Sequence, residues 1–116
     1  MVTLIDVTDI SATTCSAPLV REPISASDAD AMALTLKALA DPARLRLLSI
    51  VAASENHEAC VCDLIGPVGL SQPTVSHHLK VLTAAGFLTR TKRATWAYYA
   101  LVPGSLDRVA QFFATA

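Results

Sequence analysis

The sequence predicts a mainly α-helical domain carrying a two-stranded β-hairpin, arranged as a winged helix-turn-helix and paired as a homodimer. Three observations predict it. Two helix-like segments flank a glycine-bearing turn within residues 60–85, and the second is amphipathic. Two β-rich runs, 87–91 and 96–101, follow with basic residues between them. Finally, 53% of the 116 residues are hydrophobic. One small core does not hide that much, so a second copy of the chain is the expected cover.

A chain of this length fits one compact domain. Residues 1–24 are rich in Ser, Thr and Ala, contain Pro18 and Pro23, and show no sustained period. They read as a flexible N-terminal arm carrying Cys15, and residues 25–116 as the folded domain. Ser27, with Asp28 and Asp30 in the first turn, reads as the N-cap of a helix to about Ala40. Met32, Leu36 and Leu39 form its stripe, and Leu34 faces the other way. Asp41 caps a second helix that has Pro42 in its first position and runs to about Ala53 through Leu45, Leu47, Leu48, Ile50 and Val51.

Residues 54–58 read as a loop. A short helix over 60–65 follows, then a tight connection through Gly66, Pro67, Val68 and Gly69. The next helix starts at Gln72, is capped by Ser71, and runs to about Ala85, where Gly86 stops it. Val75, Leu79 and Leu82 point inward, with His78 at the edge of their face; Ser76, His77 and Lys80 point outward. The hairpin is a wing whose tip holds Lys92, Arg93, Ala94 and Thr95. After Pro103 and Gly104, Ser105 reads as the cap of a last helix with Leu106, Val109, Ala110 and Phe113 in a stripe and Phe112 beside it. Dimerisation falls to the first and last helices, burying Met32, Leu34, Leu36, Leu106, Val109 and Phe113 there or in the adjoining core.

The net charge of -1 conceals a polarity along the chain. Residues 64–106 contain Lys80, Arg90, Lys92 and Arg93 and no Asp or Glu, whereas nine of the ten acidic residues lie at or before Asp63. Joined to the helix-turn-helix outline, this basic half points to double-stranded operator DNA as the partner. Ser71, Gln72, Thr74, Ser76 and His77 offer hydrogen-bonding groups near the start of a groove-reading helix. Lys80, Arg90, Lys92 and Arg93 offer phosphate contacts. Gln72 suits either a bidentate contact to adenine or a cap on its own helix.

No apolar run reaches the roughly 18 residues of a membrane span, and Asp6 and Asp9 stand where a signal peptide has cations. The expectation is a cytoplasmic protein with no membrane partner. A thiol reductase needs a low-pKa cysteine in an anion-binding loop, and no glycine-rich phosphate loop is present; no enzyme activity and no small-molecule substrate are expected.

Three cysteines, Cys15, Cys60 and Cys62, are an odd number that argues against a disulfide scaffold. Metal binding, redox chemistry and core filling stay open on the residues alone. The segment Glu58-Ala59-Cys60-Val61-Cys62-Asp63-Leu64, followed by Ser71-Gln72-Pro73-Thr74-Val75-Ser76-His77-His78-Leu79, resembles the ArsR/SmtB family of metal-responsive repressors over roughly residues 27–113. The resemblance implies an apo dimer that represses and a ligand that releases the operator. It also shows departures. Ile65 stands where one arsenic-sensing type has a third cysteine, Cys15 is followed by Ser16 where another has adjacent cysteines, and the last helix offers only Asp107 where zinc-sensing members have Asp and His ligands.

Three thiolates suit the pyramidal sulfur coordination of arsenite or antimonite and leave zinc one ligand short. The expected ligands are therefore Cys15, Cys60 and Cys62, with Cys15 brought in by the arm of the same or the partner subunit. A cadmium or lead site that adds His57 or Glu58 is the alternative, as is a thiol redox-responsive repressor. Residues two apart on a helix do not face each other, so Cys60 and Cys62 converge only where the helix starts or is distorted. For the same reason Cys15 with either of them is the favoured disulfide.

Overall fold

The computed structural model describes residues 18–115. Helix α1 spans Ala26–Leu39 and α2 spans Pro42–Ala53. Ser25, rather than Ser27, caps α1: its side-chain oxygen accepts the Asp28 N–H at 3.1 Å. Asp41 caps α2 as expected, its Oδ1 accepting the Ala43 and Arg44 N–H groups at 2.9 and 3.2 Å.

The segment after α2 departs from expectation. A 3-10 turn at Glu55–His57 leads into a short strand, β1 (Glu58–Cys60), and a second 3-10 turn covers Val61–Asp63. Cys60 therefore lies on extended backbone, not on a helix. Asn56 and His57 both adopt left-handed backbone, with φ of 59° and 54°, and this reversal lays Glu58 beside the wing. Helix α3 (Ile65–Val68) occupies residues that read as a connection, and Gly69 at φ +68° closes it.

Helix α4 spans Gln72–Ala84 from its Ser71 cap. Strand β2 (Leu88–Arg93) runs two residues past its expected end and β3 (Trp96–Leu101) has the expected bounds; a two-residue turn in which Ala94 has φ 55° joins them. Lys92 and Arg93 thus belong to the ladder, opposite Ala97 and Trp96. The sheet is antiparallel in the order β1-β3-β2, with Cys60 opposite Tyr98. Helix α5 spans Ser105–Phe112; Gly104 is its N-cap, and Ser105, the expected cap, is its first residue, buried with a hydroxyl that has no partner among the described residues.

Leu47, Val51, Leu64, Val75, Leu79, Leu82 and Phe87 are the centre of the main core, where α2 and α4 pack with the sheet. The inward period expected for α4 is what the core uses. Met32 and Phe112 form a second, smaller cluster with Ile24 and Leu36, and the Leu19 N–H donates to the Phe112 carbonyl at 2.8 Å. Leu34, Leu106 and Phe113 stay exposed on the single chain. Among the described residues no helix is long and apolar enough to cross a membrane.

Candidate nucleic-acid interface and thiol site

Helix α4 and the wing enclose a cleft of about 690 Å³. Gln72, Ser76 and Lys80 enter from the helix, Arg90 and Lys92 from β2, and no Asp or Glu lines it. The structure thus brings together five of the residues expected at DNA. Alternation along β2 is the reason: Arg90 and Lys92 are two apart and share the face that looks toward α4. His77 is exposed on α4 outside the cleft. Ser71 and Thr74 are engaged with one another, the Ser71 hydroxyl donating to Thr74 Oγ1 at 3.0 Å and accepting the Thr74 N–H. Both still stand exposed at the start of the helix.

Sequence reasoning missed Trp96 as a site residue. It is 48% exposed and lines the same cleft, beside the two-residue turn. An indole at the tip of a basic hairpin, with half its surface in water, was the available signal. Arg44 was also missed. Its guanidinium donates to the Ala38 and Lys37 carbonyls at 2.6 and 3.1 Å, satisfying the end of α1, and lies 3.2 Å from His78 Nδ1. His78 accordingly packs at the inner edge of α4, as expected, and ties that helix to the rest of the domain.

Arg93 is the departure. Adjacent to Lys92, it points to the opposite face of the strand and does not line the cleft. Its two terminal nitrogens donate to the Glu58 carboxylate at 3.1 and 2.7 Å, and its guanidinium lies 4.5 Å from the centre of the Tyr98 ring. Hydrogen bonding to Glu58 pushes the Arg93 pKa further above its ordinary value.

At the far edge of the sheet Cys60 and Cys62 are joined by a disulfide, with their Cα atoms 5.1 Å apart. The expectation that Cys15 supplies the bridge is not what the described residues show; Cys15 lies outside them. The physical reason is the strand. Extended backbone at Cys60 followed by a 3-10 turn swings Cys62 back, so that its N–H donates to Cys60 Sγ at 3.2 Å. Cys60 is buried and Cys62 exposed. Val61 between them is buried and forms part of the cleft wall.

Among the described residues no group of three His, Cys, Asp or Glu side chains stands ready for a metal. His57 Nδ1 pairs with the Ala52 carbonyl at 2.7 Å and Glu58 with Arg93, so both neighbours of the thiol pair are engaged elsewhere.

The family model described as bacterial regulatory protein, arsR family, matches residues 41–90, from the cap of α2 into β2. An HTH-type transcriptional regulator of Methanocaldococcus jannaschii is 44% identical over 73 residues, covering 63% of this chain and 76% of that one. The chain belongs to the arsR family. An arsenical resistance operon repressor of Escherichia coli is 42% identical over 67 residues, 58% of this arsR-family chain and just over half, 56%, of its own length.

Solved structures agree. An antimony-specific transcriptional repressor superposes with a TM-score of 0.66 at 30% identity, over 78% of this chain and 79% of that one. A homodimeric winged helix-turn-helix domain from Mycobacterium bovis gives 0.62 at 26% identity, over 79% and 81%. This arsR-family protein is a winged helix-turn-helix transcriptional repressor and not an enzyme.

Proposed function

We propose that the protein is a homodimer that binds double-stranded operator DNA through α4 and the wing and lets go when its cysteine thiolates capture arsenite or antimonite. One observation carries the reading: the two cysteines flank Val61, a residue in the wall of the basic cleft. Loading the pair therefore acts on the surface that meets DNA. An arsenical resistance repressor and an antimony-specific repressor among its relatives support the choice of ligand.

Gln72, Ser76 and His77 are the candidates for base edges, with Ser71 and Thr74 at the helix start, and Lys80, Arg90 and Lys92 for phosphates. Arsenous acid condenses with three thiols, forming three As–S bonds and releasing three waters. Once their disulfide is reduced, Cys60 and Cys62 fit that chemistry, because the strand and turn hold their Cα atoms 5.1 Å apart. Cys15, outside the described residues, is the proposed third ligand. The proposal places the protein in the cytoplasm, where thiols stay reduced.

A second reading rests on the disulfide itself. Oxidation of Cys60 and Cys62 removes both thiolates, so an oxidised protein does not take up the metalloid.

Operator release followed by fluorescence anisotropy tests both. In reduced protein arsenite is expected to weaken operator binding by about 10- to 100-fold, and the Cys60→Ser, Cys62→Ser and Cys15→Ser variants to resist. A normal response of Cys15→Ser removes the arm from the site; release by cadmium or lead and not by arsenite overturns the choice of ion. Oxidised wild type is expected to hold its operator in arsenite, and release before reductant is added overturns the second reading.

A further inference from the structure

We propose that Glu58 and Arg93 form a latch that fastens the wing to the cysteine-bearing strand, and that Arg93 is a positioning residue withheld from DNA. Three features of the sheet converge. Glu58 begins β1, two residues before Cys60, and Arg93 ends β2, the far strand of the sheet. Their side chains meet in a two-pronged ion pair that spans the intervening strand β3, over the ring of Tyr98. Tyr98 is also the residue opposite Cys60 in the ladder. The latch thus clamps the hairpin at the position where the thiol pair sits.

The geometry separates Arg93 from the phosphate contacts. Arg90 and Lys92 face the cleft beside α4, whereas Arg93 faces the other side of the sheet with its charge matched by a carboxylate. A bidentate guanidinium–carboxylate pair fixes orientation as well as distance, which a lysine in that place does not reproduce. Because the pair is partly exposed, its role is to hold the strands in register more than to add stability.

The inference concerns the DNA interface and its link to the thiol site, so it rests on the proposed function; its first test does not depend on the inducer. Operator affinity is measured over a range of salt concentrations for wild type, Arg93→Gln and Glu58→Gln. Each phosphate contact contributes about 0.9 to the slope of log affinity against log salt. The latch predicts that Arg93→Gln keeps the wild-type slope and that Glu58→Gln, which frees the guanidinium, steepens it by about 0.9 per subunit. A slope flattened by that amount in Arg93→Gln and unchanged in Glu58→Gln overturns the latch and makes Arg93 a phosphate contact.

A second arm uses arsenite on the same proteins. Both variants, and Arg93→Lys, are expected to bind arsenite as wild type does without DNA, and to lose at least about three-fold of the arsenite-induced change in operator affinity. An undiminished response in all three overturns the coupling role. If arsenite fails to release the wild type, the proposed inducer is at fault and the salt slopes alone decide the latch.

Discussion

Asp41 shows how much one side chain settles. Its carboxylate accepts two backbone N–H groups at the start of α2, and the hydrogen bond from the Arg44 N–H is the main cause that holds its pKa below the ordinary carboxylate value. A depressed pKa means that the folded state prefers the charged form, so the contribution is complete above the ordinary value and is lost as pH falls through the folded one. Asp41→Ala is therefore expected to lower the melting temperature by a few degrees at neutral pH, with the two curves converging under acid. A constant gap across the pH range would assign the effect to packing instead. Asp41 was legible because cap and proline sit side by side in the sequence. Ser25 and Gly104 were not. Ser27 and Ser105 satisfy the same local rule, so the local sequence alone does not choose between neighbours.

Among the elements, α4 followed its hydrophobic period, and Val75, Leu79 and Leu82 are fully buried as the spacing requires. Strand β1 did not announce itself. Three residues make too short a run to show alternation, and its pairing partner lies some forty positions downstream, so only the assembled sheet reveals it. The same contact explains the thiol pair, since the helical reading of residues 60–65 separates two sulfurs that the strand and turn bring together. The cleft is largely readable in the sequence, because α4 and the alternating cations of β2 both obey local periods; which cations face it is not, since Lys92 and Arg93 are neighbours at what reads as one tip. The turn of the helix-turn-helix gives an element-scale test. Gly69 sits at φ +68° with nothing within 4 Å of a built Cβ, so Gly69→Ala meets only backbone strain. Denaturant unfolding is expected to show a loss of about 1–2 kcal/mol, and no loss would mean that α3 relaxes to another cap.

For the whole molecule, apolar surface decides the assembly. Leu34 is 68% exposed on α1, and Leu106 and Phe113, at 40% and 47%, lie on and at the end of α5. Next to them the buried Met32 and Phe112 form a small cluster of their own, so these two helices carry more apolar surface than one chain covers. In the proposed homodimer, paired copies would bury it and present two α4 helices to successive half-sites on one duplex. A Leu34→Glu/Phe113→Glu double variant is expected to sediment as a monomer and to bind operator at least about 100-fold more weakly. A dimer that survives both charges would place the interface elsewhere.

The indole of Trp96 has a further consequence. The chain contains one tryptophan, and it stands half in water within the wall of the basic cleft. Emission excited at the red edge of the indole band, where the two tyrosines absorb little, therefore comes from a single address, the wing tip. The molecule carries its own optical probe at the surface where DNA is proposed to dock, and docking can be followed there without attaching a dye to either partner.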